Sequence, residues 1–116
     1  MIYIASPYTH PDHLIREYRY QAVRKYTYQC MCLGETVFSP IVYGHEFVNF
    51  SQEAITSEYW KSFNDHMLMS ATSMRVYQIP GWARSRGIAD EINYAQRLTI
   101  PIEYVTCLVL AEEQPQ

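Results

Sequence analysis

MRVYQIPGWARSRGIADEINYA, running from Met74 to Ala95, is the stretch whose reading decides the fold of this chain. Val76, Tyr77 and Ile79 are β-favouring and apolar, Pro80-Gly81 breaks the strand, and a helical pattern starts near Ser85. A strand, a tight turn and a helix build an anion site. The first amides of such a helix lack intrahelical partners and carry the positive end of its dipole, so a phosphate fits over Ser85, Arg86 and Gly87. Ile88, Ile92, Ala95 and Leu98 mark the buried stripe of that helix, and Glu91 sits on its edge. A carboxylate at that place calls for a reason.

Outward from this stretch, the chain of 116 residues reads as one domain over residues 1–110 with a disordered acidic tail at 111–116. Ile2 to Ala5 reads as a first strand ended by Ser6-Pro7-Tyr8. A first helix is expected to start near Pro11 and Asp12, to bury Ile15, Tyr18, Ala22, Tyr26, Cys30 and Leu33, and to end at Gly34. Thr36 to Ser39 reads as a second strand, again closed by a proline, before a polar and aromatic loop with Tyr43, His45 and Glu46. A second helix follows from Thr56 or Ser57, with Tyr59, Trp60, Phe63, Met67 and Leu68 on its stripe and Asp65 off its centre. Ile100 to Val105 supplies a fourth strand, its proline marking an edge or a strand start, and Cys107 to Leu110 a possible fifth.

Strands alternating with helices give an α/β class with right-handed crossovers and a parallel sheet of four or five strands covered on both faces. Placing strands two and three on opposite sides of strand one reverses the strand order there, and a ligand crevice opens beyond the carboxyl ends. Ser6, Pro7 and Tyr8 should then share one pocket with Gly81 and Trp82.

Composition narrows the chemistry. Net charge is -3 with nine scattered basic residues, which argues against a nucleic-acid partner. No apolar run reaches membrane length and no basic leader precedes the first strand, so a cytoplasmic protein without membrane contact is expected. Three cysteines, Cys30, Cys32 and Cys107, read as reduced thiols. His10 and His13 lack a third ligand, His45 and His66 stand alone, and neither a metal nor another cofactor is expected. Neither a nucleophile elbow nor a phosphate loop with its lysine is present. A helix-start anion site with one or two carboxylates instead suits a sugar phosphate attacked at its anomeric carbon, with Glu91 as nucleophile and Asp65 as the second carboxyl. The helix dipole is expected to keep Glu91 ionised.

IYIASPY, VFSPIVYGHE, the run from Trp60 to Asp65, and Val76 to Ala95 followed by IPIEYV resemble the nucleoside 2-deoxyribosyltransferase-like superfamily, especially its short phage and bacterial members and the 2'-deoxynucleoside 5'-phosphate N-hydrolases. The most specific part is Ser85, Gly87 and Glu91 in an S-x-G-x-x-x-E pattern. The resemblance implies a Rossmann-like, flavodoxin-like three-layer sandwich and a covalent deoxyribosyl intermediate on Glu91. It also implies an aspartate near sugar and base at Asp65, phosphate contacts from Ser6, Ser85 and Gly87, and a homodimer in which the neighbour helps complete the site. The function so expected is cleavage of the N-glycosidic bond of a deoxynucleoside or its 5'-monophosphate, with Tyr8 and Trp82 sandwiching the base. The alternative is a nucleotide-binding protein of the same fold that senses or sequesters without turnover.

Overall fold

The computed structural model describes residues 1–50 and 55–107. Along the chain run β1 (Ile2–Ala5), α1 (His13–Cys32), β2 (Val37–Phe38), α2 (Pro40–His45), a 3-10 turn (Glu46–Asn49), α3 (Ser57–Met69), β3 (Ser73–Gln78), a second 3-10 turn (Trp82–Arg84), α4 (Arg86–Arg97) and β4 (Ile102–Thr106). The four strands form one all-parallel sheet in the order β2-β1-β3-β4. Ala5 of β1 lies beside Val76 of β3, so the two strands that flank the reversal point end close together. The architecture is a Rossmann-like α/β sandwich, as the alternation of elements predicts.

Side-chain alternation along the strands builds the two cores. Tyr3, Ala5, Met74 and Val76 point to one face and bury with Leu68 of α3 and Ile88 and Ala95 of α4. Ile4 points to the other and packs with Val23 of α1 and Ile79. β4 takes the edge, Pro101 stands just before its first residue, and the Pro101 carbonyl accepts from the Met74 amide at 2.9 Å.

Local chemistry sets the helix ends. The Asp12 carboxylate accepts from the Leu14 amide at 2.9 Å, so Asp12 is the cap and the helix starts at His13, two residues later than Pro11. At the other end Gly34 takes φ 82°, its amide donates to Met31 and that of Glu35 to Cys30, which is a Schellman closure. This closure turns Leu33 outward, and it is 80% exposed rather than part of the buried stripe. α4 ends the same way on Thr99 at φ 57°, with the Ile100 amide donating to Ala95 at 2.9 Å. A β-branched residue is strained in that conformation. Thr99→Gly is therefore expected to stabilise the fold by about 1 kcal/mol, read in urea as a higher midpoint at unchanged slope.

Sequence pattern and structure part at residues 40–45. Ser39 is a helix cap whose hydroxyl accepts from the Val42 amide at 3.2 Å, and Pro40 occupies the first turn, so the expected loop is the helix α2. Six residues are too few for a helical period to show. The expected fifth strand runs past Cys107 into residues outside the described ones, where the tail 111–116 also lies. Among the described residues no helix is long and apolar enough to cross a membrane, and Cys30, Cys32 and Cys107 are free thiols.

Candidate functional site

A cleft of about 530 Å³ opens at the carboxyl ends of β1 and β3, within the size range of small-molecule sites. β1 and its loop contribute Ser6 and Tyr8, α3 contributes Asp65, and the start of α4 contributes Ser85, Gly87 and Glu91. Six of the nine expected site residues thus come together. Pro7 is buried beneath the loop and shapes it without lining the cleft.

Glu91 lies where the Tyr3 hydroxyl donates a hydrogen bond to its Oε2. Tyr3 is fully buried, and a buried phenol needs such a partner. Burial pushes the Glu91 carboxyl up to about 7, the nearby charges of Asp65 and Asp90 push the same way, and the Tyr3 bond opposes them. The helix dipole does not keep this carboxyl fully ionised near neutral pH, contrary to the expectation from sequence. Glu91 is the sixth residue of α4, beyond the first turn in which the dipole acts, and desolvation outweighs it. The Tyr3 hydroxyl is itself pushed up by burial and by Glu91, so it remains a donor.

This shift makes stability depend on pH. The folded chain holds the Glu91 proton more tightly than an ordinary carboxyl at 4.5 does, so its contribution is complete below that value and is lost as pH rises through about 7. Glu91→Gln is expected to melt at a nearly constant temperature from about pH 5 to about pH 8, where the parent chain loses stability. Thermal denaturation at both ends of that range reads the difference.

Asp65 accepts from Lys61 at 3.0 Å, one helical turn earlier, and both line the cleft. Asp90 lines it as well. Ser6 is 6% exposed and its hydroxyl oxygen has no hydrogen-bond partner among the described residues. Asn64 Oδ1 is likewise buried and unpartnered beside Asp65. Buried polar atoms left open at a cleft wall are where a ligand gains most from hydrogen bonding. At the start of α4 the Ser85 hydroxyl caps the Ile88 amide at 3.2 Å, and the Arg86 and Gly87 amides, at the first two helical positions, have no intrahelical carbonyl to reach.

Tyr8 is held by the supposedly isolated His45. Their side chains hydrogen-bond at 2.9 Å, His45 stacks on Tyr20 at 3.6 Å, and its Nε2 lies 3.4 Å from Glu17. The helix α2 that sequence reading takes for a loop therefore positions an aromatic of the cleft. Trp82 does not face Tyr8. It packs against the core on the α4 side, 5.8 Å from the Tyr104 ring, because burying its large apolar surface there outweighs presenting it to solvent. Gly81 also leaves the cleft and turns, at φ 97°, against Arg19. Of these two aromatics, Tyr8 lines the cleft and Trp82 does not.

Among the residues that sequence reasoning passed over, Tyr3, Lys61, Asn64 and Asp90 matter most. Tyr3 could be found from alternation, since it shares the face of β1 that meets the α4 stripe and a buried hydroxyl there needs an acceptor. Among the described residues no three His, Cys, Asp or Glu side chains gather to hold a metal ion.

No curated protein matches this chain. Residues 1–106 match the family described as "Domain of unknown function (DUF1937)", which covers every element from β1 to β4, and the chain belongs to that family.

Proposed function

We propose that the protein cleaves the bond between base and sugar of a 2'-deoxynucleoside or its 5'-monophosphate, as the likeness of its motifs to the deoxyribosyltransferase-like superfamily implies. The observation that carries this reading is the Glu91 carboxyl in the cleft with the buried Tyr3 hydroxyl bonded to it. A carboxylate so desolvated is a strong partner for a developing oxocarbenium centre, and the Tyr3 bond orients the oxygen that attacks. Glu91 forms a bond to the anomeric carbon as the bond to the base nitrogen breaks. The electron pair leaves with the base, which takes a proton from solvent or a cleft acid. Water, or a second base, then displaces Glu91 and returns the carboxylate.

The other residues take supporting roles. Asp65, ion-paired to Lys61, suits hydrogen-bond acceptance from sugar hydroxyls. Ser6 and the amides of Arg86 and Gly87 suit a phosphate or a hydroxyl of the sugar, and Tyr8 offers its ring to the base. The test is incubation with a panel of deoxynucleosides and their monophosphates, with free base read by chromatography. Base release supports the reading. Ligand bound and recovered intact from every member of the panel overturns catalysis and leaves a binding protein.

A further inference from the structure

Beside the main cleft lies a second cavity of about 320 Å³, lined by Thr9, His10, Arg19, Gly81, Arg84 and Ser85. Thr9, Arg84 and Ser85 line both, so the two adjoin. The unusual member is Arg19. It sits on the buried stripe of α1, four residues from Ile15 and four from Val23, and is only 9% exposed.

An arginine at that depth ordinarily meets a carboxylate. Arg19 meets none within ion-pair distance among the described residues. Its Nη1 donates to the Thr9 carbonyl at 2.9 Å and its Nη2 reaches the Pro80 carbonyl at 3.5 Å, while Nε has no partner. Two neutral carbonyls place the guanidinium without cancelling its charge. Arg84 adds a second positive charge beside it, and burial together with that charge pushes the Arg19 pKa down. Arginine nonetheless stays protonated in proteins.

The surroundings are shaped around this cation. A Cβ on Gly81 would fall 2.4 Å from Arg19 Nη2, so a side chain there would have to displace the guanidinium from its present position. His10 Nδ1 accepts from the Asp12 amide at 3.0 Å, which fixes the ring proton on Nε2 and makes that edge a donor. The cavity therefore combines donors and positive charge in a chain whose net charge is -3.

We infer that the Arg19–Arg84 cavity is a phosphoryl-binding subsite that extends the main cleft, so that the favoured ligand is a nucleotide with a di- or triphosphate chain. The subsite itself stands on Arg19 and its surroundings; the nucleotide as its occupant rests on the function proposed above. A phosphoryl dianion matches two guanidinium groups and supplies the counter-charge that Arg19 lacks.

The experiment is calorimetry at low ionic strength on the full chain, Arg84→Ala and Arg19→Gln, with inorganic pyrophosphate, a deoxynucleoside 5'-monophosphate and the matching triphosphate. Pyrophosphate is expected to bind the parent chain and to lose at least about tenfold in affinity in Arg84→Ala, whose exposed side chain is removed without a cost in folding. The triphosphate is expected to bind at least about tenfold more tightly than the monophosphate, with the gap closing in both variants. Circular dichroism shows whether Arg19→Gln is folded, and Arg84→Ala serves if it is not. Absence of pyrophosphate binding overturns the subsite. Pyrophosphate binding with equal affinity for mono- and triphosphate overturns the nucleotide as its occupant. Base release plays no part in these readings, so the subsite and the glycosidase reading fail separately.

Discussion

Glu91→Gln is expected to lower base release by about a thousandfold or more at constant fold, because an amide cannot form the glycosyl ester through which the reaction would pass. The substitution is close to isosteric. The new side-chain amide keeps an oxygen that accepts from the Tyr3 hydroxyl, so the packing of Tyr3 with Ile88 and Ala95 is retained. It also removes a buried titrating group, and the variant should melt no lower than the parent chain above pH 7. Loss of activity together with undiminished stability separates a chemical role from a structural one. The measurement is the initial rate of base release for both proteins, with melting temperatures recorded in the same buffer.

Tyr3→Phe should move the pH dependence. The hydroxyl of Tyr3 donates to Glu91 and favours its ionised form against the effect of burial. With Glu91 at about 7 in the parent chain, kcat/KM is expected to rise with pH and to level off above that value, because the deprotonated form attacks. Removing the donor leaves only Lys61 to oppose desolvation and the charges of Asp65 and Asp90, so the rising limb moves up by about one pH unit. At neutral pH the rate falls by about fivefold, and at high pH much of the loss is recovered. An unchanged midpoint would show that Tyr3 acts on the fold and not on Glu91. A falling limb in the parent chain would assign Glu91 the role of an acid.

How much of this was written in the sequence can be judged from particular residues. The alternation of strands and helices gave the parallel α/β class, while the order with strands two and three on opposite sides of strand one was one arrangement among the few that right-handed crossovers allow. Glu91 stood out because it interrupts an apolar stripe. Tyr3 did not, because a tyrosine in a strand breaks no pattern and its partner is 88 residues away. Arg19 was hidden for the opposite reason. A long helix with tyrosines and arginines on several faces leaves the centre of its stripe ambiguous, and the stripe runs through Ile15, Arg19, Val23 and Thr27. Trp82 shows where connectivity stops being informative. Topology places its backbone near the cleft, but whether its ring turns to the base or to Tyr104 is decided by packing across β3 and β4.

The cleft also gives Lys61 and Asp90 places that their positions in the sequence do not suggest. Lys61 lies one helical turn before Asp65, and nothing in the sequence singles it out. In the fold their ends line the same cavity as Asp90 and Glu91, so that the acidic wall raises the Glu91 pKa while Lys61 moderates it. Burial has the largest part in where Glu91 titrates, and the balance of these charges adjusts it.

The central claim is that Glu91 attacks the sugar directly. It is tested by the anomeric configuration of the product formed when turnover is run in buffer containing methanol, read by proton NMR before the sugar can equilibrate. Two successive displacements through Glu91 retain the configuration of the substrate, and the methyl 2-deoxyriboside should be the β anomer. Formation of the α anomer would mean that the solvent nucleophile attacks the sugar in a single displacement, and Glu91 would then not be the nucleophile.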